Sequence, residues 1–220
     1  MTSVLPPTGA PRVERFVLGP LEVNTYLVYD EEAKVGLLID PAEEAVELQA
    51  RLDQLALKKW SIFLTHGHGD HILGVTAFRQ RLGAPVLISR EDAPMLEDPS
   101  LNLSIMLGFG FSTTPPDTCL SHGDTLPLGR FTGEIIAVPG HTPGGLVLAF
   151  PGLLFTGDTL FAGSIGRSDL PGGDGTLLVK MIRERLLPRD GHRVLPGHGP
   201  ATSIALEKRT NPFLQADSCR

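Results

Sequence analysis

Along this chain of 220 residues, short apolar runs alternate with polar turns, and stretches of helical period fall between them. Runs at 15–18, 23–29 and 36–39, the last two separated by Asp30-Glu31-Glu32, predict an opening antiparallel meander. Over 43–57 the period changes. Val46, Leu48, Leu52 and Leu55 recur among charges, the spacing of an amphipathic helix whose acidic end comes first, as the helix dipole favours. A strand at 61–64, a helix at 72–82 stopped by Gly83 and a strand at 85–88 follow. The segment 90–116, rich in Pro, Met, Leu, Phe and Gly, keeps no period; it reads as a short helical or irregular excursion, either ordinary packing or an apolar cover over a site. Strands at 126–128, 133–138, 145–150 and 153–156 lead through a Gly-rich loop to a helix over 176–187, with Asp174 as its N-cap, and a last strand at 193–195. Helices between groups of strands predict an α/β (α+β) domain of two packed sheets with helices outside. The expected organisation is a loose leader over 1–13, one domain over 14–214 and a tail over 215–220.

Composition narrows the class of protein. One domain of this length can bury a sizeable core. The formal net charge of −6 argues against a broad surface for nucleic acid or anionic membrane. No apolar run approaches a membrane span and the N-terminus carries no apolar signal core, so a cytoplasmic protein is expected. Cys119 and Cys219 form no CxxC and have no neighbouring histidine, which predicts reduced thiols without a catalytic role.

The chemistry lies in Thr65-His66-Gly67-His68-Gly69-Asp70-His71, where four metal-ligand side chains occupy six consecutive residues at the end of a predicted strand. Gly67 and Gly69 let the backbone turn so that alternate side chains can converge. The same pattern of apolar run, glycine and ligand-type residue recurs at Gly140-His141, Gly157-Asp158 and Gly197-His198. Seven candidates, His66, His68, Asp70, His71, His141, Asp158 and His198, suit two ions sharing a carboxylate, with a single ion and spectator residues as the competing arrangement. His122 and His192 sit in turn sequences and are set aside as loop residues.

These motifs, with Gly140-His141-Thr142, Thr156-Gly157-Asp158-Thr159, Gly197-His198-Gly199 and Asp40 in Leu38-Ile39-Asp40-Pro41, resemble the metallo-β-lactamase fold superfamily from about Phe16 onward. Within it, Thr156 to Phe161, Gly163 to Asp169, Pro171-Gly172-Gly173-Asp174 and Arg209 to Leu214 are similar to the glyoxalase II (hydroxyacylglutathione hydrolase) group, in its short bacterial branch without a C-terminal helical domain. The resemblance implies a four-layer αββα sandwich of two mixed sheets. It implies two divalent ions per chain, zinc first and iron or manganese as the alternatives. His66, His68 and His141 would hold the first, Asp70, His71 and His198 the second, and Asp158 would bridge, with Asp40 orienting the ligands from behind. Asp70 and Asp158 would act in catalysis together with a hydroxide bridging the metals.

Such a site attacks carbonyls, and a thioester suits it because a thiolate leaves without a strong general acid. The expected reaction is S-lactoylglutathione to D-lactate and glutathione, with Arg167 as the contact for a substrate carboxylate. The expected partner is this small thioester, with no nucleic acid or membrane, and the protein a monomer or small homo-oligomer. The Gly166-Arg167-Ser168-Asp169 segment also resembles persulfide dioxygenases, which would use one iron on His66, His141 and Asp158. A β-lactamase, a nuclease and a non-catalytic metal-binding member of the fold are the remaining alternatives.

Overall fold

A computed structural model describes residues 2–4 and 9–215. Seven strands, β1 (Thr2–Val4), β2 (Arg12–Leu18), β3 (Val23–Asp30), β4 (Val35–Ile39), β5 (Lys59–Phe63), β6 (Val86–Ser89) and β7 (Thr118–Leu120), form the first sheet in chain order. Its first four strands are antiparallel and its last four parallel. The second sheet contains β8 (Thr125–Leu128), β9 (Phe131–Ala137), β10 (Leu146–Phe150) and β11 (Leu153–Gly157), and later β14 (Arg193–Pro196) and β15 (Thr202–Ser203), in the order β15-β14-β11-β10-β9-β8. A small hairpin of β12 (Leu160–Phe161) and β13 (Ser164–Ile165) stands apart. Of the helices, α1 (Val46–Leu55), α2 (Gly69–Ile72) and α3 (Val75–Leu82) follow strands of the first sheet; α4 (Gly175–Met181) follows the hairpin and α5 (Ile204–Thr210) the last strand of the second sheet.

Alternation along the strands builds the layers. In β3, Tyr26 and Val28 face the second sheet, where they meet Leu148, Phe150 and Phe155, while Leu27 and Tyr29 face outward to Leu48 and Leu52 of α1 and Phe78 of α3. In β10, Leu146, Leu148 and Phe150 point into the same middle layer, while Val147 and Ala149 meet Leu178 of α4 and Ile204 of α5. Strands covered on both faces are buried at every position and carry apolar residues on both sides, which is why these runs do not alternate in sequence. The result is the expected αββα sandwich.

Several expectations shift at their edges. Thr2–Val4 and the start of β2 fall within the segment expected to be a loose leader, because Thr2–Val4 pairs antiparallel with Val13–Arg15. The first helix begins at Val46, and Val46 faces solvent; only Leu48, Leu52 and Leu55 make its buried stripe. The helix expected over 72–82 starts earlier and breaks at Gly74, whose N–H donates to the Pro41 carbonyl at 2.8 Å. A Cβ at Gly74 would sit 2.8 Å from that same oxygen, so only glycine allows the approach. Asp174 caps α4 as expected, accepting from the Leu177 N–H at 2.9 Å, and the helix continues as a π-helical turn over Ile182–Leu186. The pattern gave no warning of β7, β15 or α5. Cys119 is a half-buried free thiol on β7, and Cys219 lies outside the described residues. No helix among the described residues is long and apolar enough to cross a membrane.

Candidate metal centre

All seven expected ligands converge along one edge of the sandwich. The loop after β5 carries His66 and His68 and the short helix α2 that follows it Asp70 and His71; the loops after β9, β11 and β14 carry His141, Asp158 and His198. Two groups emerge within which one ligand atom per residue lies within 4.8 Å of the others: His66, His68 and His141, and Asp70, His71 and His198. Asp158 lies between them, with Oδ2 3.7 Å from His141 Nε2 and 3.5 Å from His198 Nε2, and Oδ1 3.4 Å from His71 Nε2.

Hydrogen bonds on the far side of each ring fix which nitrogen faces inward. His141 Nδ1 donates to the Arg167 carbonyl at 2.7 Å and His198 Nδ1 to the Leu21 carbonyl at 2.9 Å. The Thr65 hydroxyl donates to Asp40 Oδ2 at 2.6 Å, so it accepts from His66 Nδ1 at 3.0 Å. His71 Nδ1 donates to Asp40 Oδ2, also at 3.0 Å. Each of these four rings therefore turns Nε2 inward, the nitrogen that a metal would take once any proton on it has left. His68 is reversed, with Nδ1 facing His141 Nε2 at 3.0 Å.

Asp40 holds this arrangement from behind. Its Oδ1 accepts the Thr65 N–H at 2.8 Å while Oδ2 takes Thr65 and His71. It is fully buried and adopts a left-handed backbone at φ 48°, stabilised by Thr25 Oγ1 donating to its carbonyl at 2.6 Å. Asp40 is also close enough to group with His66 and His71, but both its oxygens are engaged by hydrogen bonds to Thr65 and His71.

A second buried carboxylate escaped the sequence reading. Asp92 accepts from the Gly67 N–H at 3.2 Å and the Gly144 N–H at 2.7 Å, joining the loop of His66 and His68 to the loop of His141. Burial raises its pKa, against the pull of those hydrogen bonds. An isolated Asp in a segment without periodicity carries no sequence signal of this role. The same segment supplies Asn102, whose carbonyl accepts the Gly69 N–H at 2.7 Å.

Glycines keep the centre open. A Cβ at Gly197 would lie 2.3 Å from Asp158 Oδ1 and 2.7 Å from His71 Cε1.

The electrostatics are those of a cation site. Burial first, then neighbouring histidines, lower His66 well below the ordinary imidazole range and bring His68 to about 3. Burial acts the same way on His71 and His198, but Asp158 and Asp70 outweigh it, raising His71 well above its usual value and His198 to about 9. Burial would raise Asp70 and Asp158; the facing His71 and His198 instead hold both carboxylates below the usual range. His66 Nε2, His68 Nε2 and Asp158 Oδ1 are buried and have no hydrogen-bond partner among the described residues. Such orphaned atoms are costly, and divalent cations between these donors would satisfy the inward ones. The donor set of imidazole and carboxylate fits zinc, iron or manganese.

The centre opens into a cavity of about 550 Å³. Arg167 lines it and is exposed, bound through Nε and Nη2 to both oxygens of Asp169 at 2.9 Å. His122 is exposed and His192 is turned onto the Arg189 carbonyl, so neither joins the cluster.

Comparison with known proteins agrees with this geometry. Residues 18–198 match the family described as the Metallo-beta-lactamase superfamily. The chain is 36% identical over 211 residues to the hydroxyacylglutathione hydrolase GloC of Haemophilus influenzae, covering 94% of this chain and 99% of that one. Among solved structures, it is similar to BLEG-1, a B3 metallo-beta-lactamase, at TM-score 0.87 and 39% identity over 92% of this chain and 99% of that one. It is also similar to TTHA1623 in a di-iron-bound form, at TM-score 0.80 and 37% identity over 91% of this chain and all of that one.

Proposed function

The chain belongs to the metallo-beta-lactamase superfamily, and from that premise we propose that it hydrolyses acyl thioesters with two divalent cations, S-lactoylglutathione being the substrate its resemblance names. The observation that carries this reading is the pairing of two three-residue ligand groups across Asp158, with the far side of four rings fixed by hydrogen bonds. In the proposed assignment His66, His68 and His141 hold one ion, Asp70, His71 and His198 the other, and Asp158 serves both. Bound there, the ions lower the pKa of water and stabilise negative charge on a carbonyl oxygen.

The protein's own residues do the rest. Asp70 and Asp158, kept ionised by the facing histidines, accept hydrogen bonds from the attacking water and fix its orientation. Asp40 and the Arg167 and Leu21 carbonyls keep the imidazole lone pairs aimed inward. Outside the ligands, the polar side chains on the cavity wall are Asn102, Ser164 and Arg167, none of which is an acid at neutral pH. A thiolate departs without a proton, whereas an amide nitrogen needs one, and this favours a thioester. Arg167 is proposed to contact a substrate carboxylate, sharing its guanidinium with Asp169. A single-iron oxygenase would use His66, His141 and Asp158 and leave the convergence of Asp70, His71 and His198 without a purpose.

The test is thiol release from S-lactoylglutathione by metal-loaded protein, with chelator-treated protein as control. No release at two ions per chain would remove S-lactoylglutathione as the substrate, and no release from any acyl thioester would sink the thioester reading. The likeness to BLEG-1 supports β-lactam ring opening as a second reading, and a β-lactam run in the same assay separates the two.

A further inference from the structure

The wall of the cavity is largely apolar. Apart from the ligands, Leu21, Leu103, Met106, Phe161, Ile165 and Leu170 line it. They adjoin the centre through three segments of the chain. Leu21 and Phe161 flank His198, the carbonyl of Leu21 bonding its ring and the Phe161 ring centroid lying 6.3 Å away. Leu103 and Met106 adjoin Asn102, which is bonded to Gly69 beside Asp70. Ile165 and Leu170 flank the segment of Arg167, whose carbonyl holds His141.

The polar groups on this wall are already engaged. Asn102 donates to the Phe111 carbonyl and accepts from the Ser104 N–H, at 3.0 and 2.9 Å. The Ser164 hydroxyl donates to the Ile165 carbonyl at 3.3 Å. Arg167, the one Lys or Arg among the lining residues, has its charge balanced by Asp169. Glutathione carries two carboxylates and an ammonium, and among the described residues this wall presents no unshared cation to either carboxylate.

Leu103 adds a separate indication. It has a left-handed backbone at φ 62°, a conformation in which Asn is at ease and Leu is not. Its side chain lines the cavity. A leucine held there at the cost of backbone strain points to a use for its apolar surface.

We propose that this site selects thioesters of apolar acyl groups, medium-length alkyl chains rather than lactoyl, and draws little affinity from charges on the thiol carrier. The proposal rests on the thioester reading above and narrows its substrate. Each methylene moved from water onto this wall is worth a factor of up to about four in kcat/KM, by the usual transfer scale.

Four substrates test it on metal-loaded protein: lactoyl and hexanoyl thioesters, each on glutathione and on uncharged N-acetylcysteamine. The expected result is hexanoyl above lactoyl by tenfold or more on both carriers, with the two carriers within about fivefold of each other. Lactoylglutathione as the best of the four would overturn the selectivity while leaving thioester hydrolysis intact. No thiol release from any of them would remove the thioester reading itself. Leu103→Asn keeps a residue suited to the left-handed backbone, so it should fold and bind metal as before. Its hexanoyl-to-lactoyl ratio should fall at least threefold; an unchanged ratio at unchanged metal content would count against the apolar wall.

Discussion

Asp40 Oδ2 lies 3.0 Å from His71 Nδ1, and the same oxygen accepts the Thr65 hydroxyl hydrogen. One buried carboxylate therefore sets the tautomer of His71 directly and that of His66 through Thr65. In Asp40→Asn, an amide N–H in place of one oxygen would oppose either the His71 or the Thr65 hydrogen. Affinity for the second ion should drop by about 10- to 100-fold. Competition with a chromophoric chelator measures this, and affinity within twofold of the parent would show that Asp40 does not orient the ligands.

Asp92 ties two ligand loops together through the N–H groups of Gly67 and Gly144. Asp92→Ala leaves both donors buried, and should lower stability by about 2–4 kcal/mol, taking roughly 1–2 for each unsatisfied group. Urea unfolding of the chelator-treated protein gives the number directly. The loss should be present without metal, since the clamp needs none.

At Gly197 the limit is space alone. Gly197→Ala drives a methyl group into Asp158 Oδ1 and His71 Cε1, costing about 1–3 kcal/mol of overpacking and displacing the carboxylate common to both ligand groups. Metal content after gel filtration should fall below two per chain. Full occupancy would mean that Asp158 can move without loss.

In the metal-free chain, stability should peak near pH 6.5. His198 is raised to about 9 when folded, so the folded state holds a proton that the unfolded state has lost above 6.5. That contribution is complete below 6.5 and is lost as pH rises through 9. His68, lowered to about 3, works on the other side: below 6.5 the unfolded chain takes up a proton that the folded chain refuses, so stability falls with pH there too. Thermal unfolding of chelator-treated protein between pH 5 and 10 reports the peak. Ion uptake at pH 7 should release protons, because His71 and His198 must give theirs up.

The sequence displays the ligands but conceals what holds them. His66, His68, Asp70 and His71 follow a strand within six residues, and His141, Asp158 and His198 repeat the strand-glycine-ligand pattern, so their convergence along one edge could be anticipated. The packed sheets were legible because helical periods fall between groups of apolar strand runs, and the four-layer sandwich followed from the family resemblance. Asp92 and Asn102 were not, because their partners are backbone groups distant in sequence and leave no period. The break at Gly74 was missed for the same reason, since it depends on the approach of the Pro41 carbonyl. α5 is seven residues long and too short to display a repeat.

The ligands come from both sheets, and this has a consequence for folding. His71 and His198 are 127 positions apart, and their inward nitrogens lie 3.3 Å from each other. An ion held by both closes a loop of that length as a cross-link does, and restricting the unfolded chain to this extent is worth about 4–5 kcal/mol in a chain-entropy treatment. The two halves of the molecule are thus fastened at the place where the chemistry occurs. On the proposed two-ion assignment, metal supply would then set the stability of the chain as well as its activity.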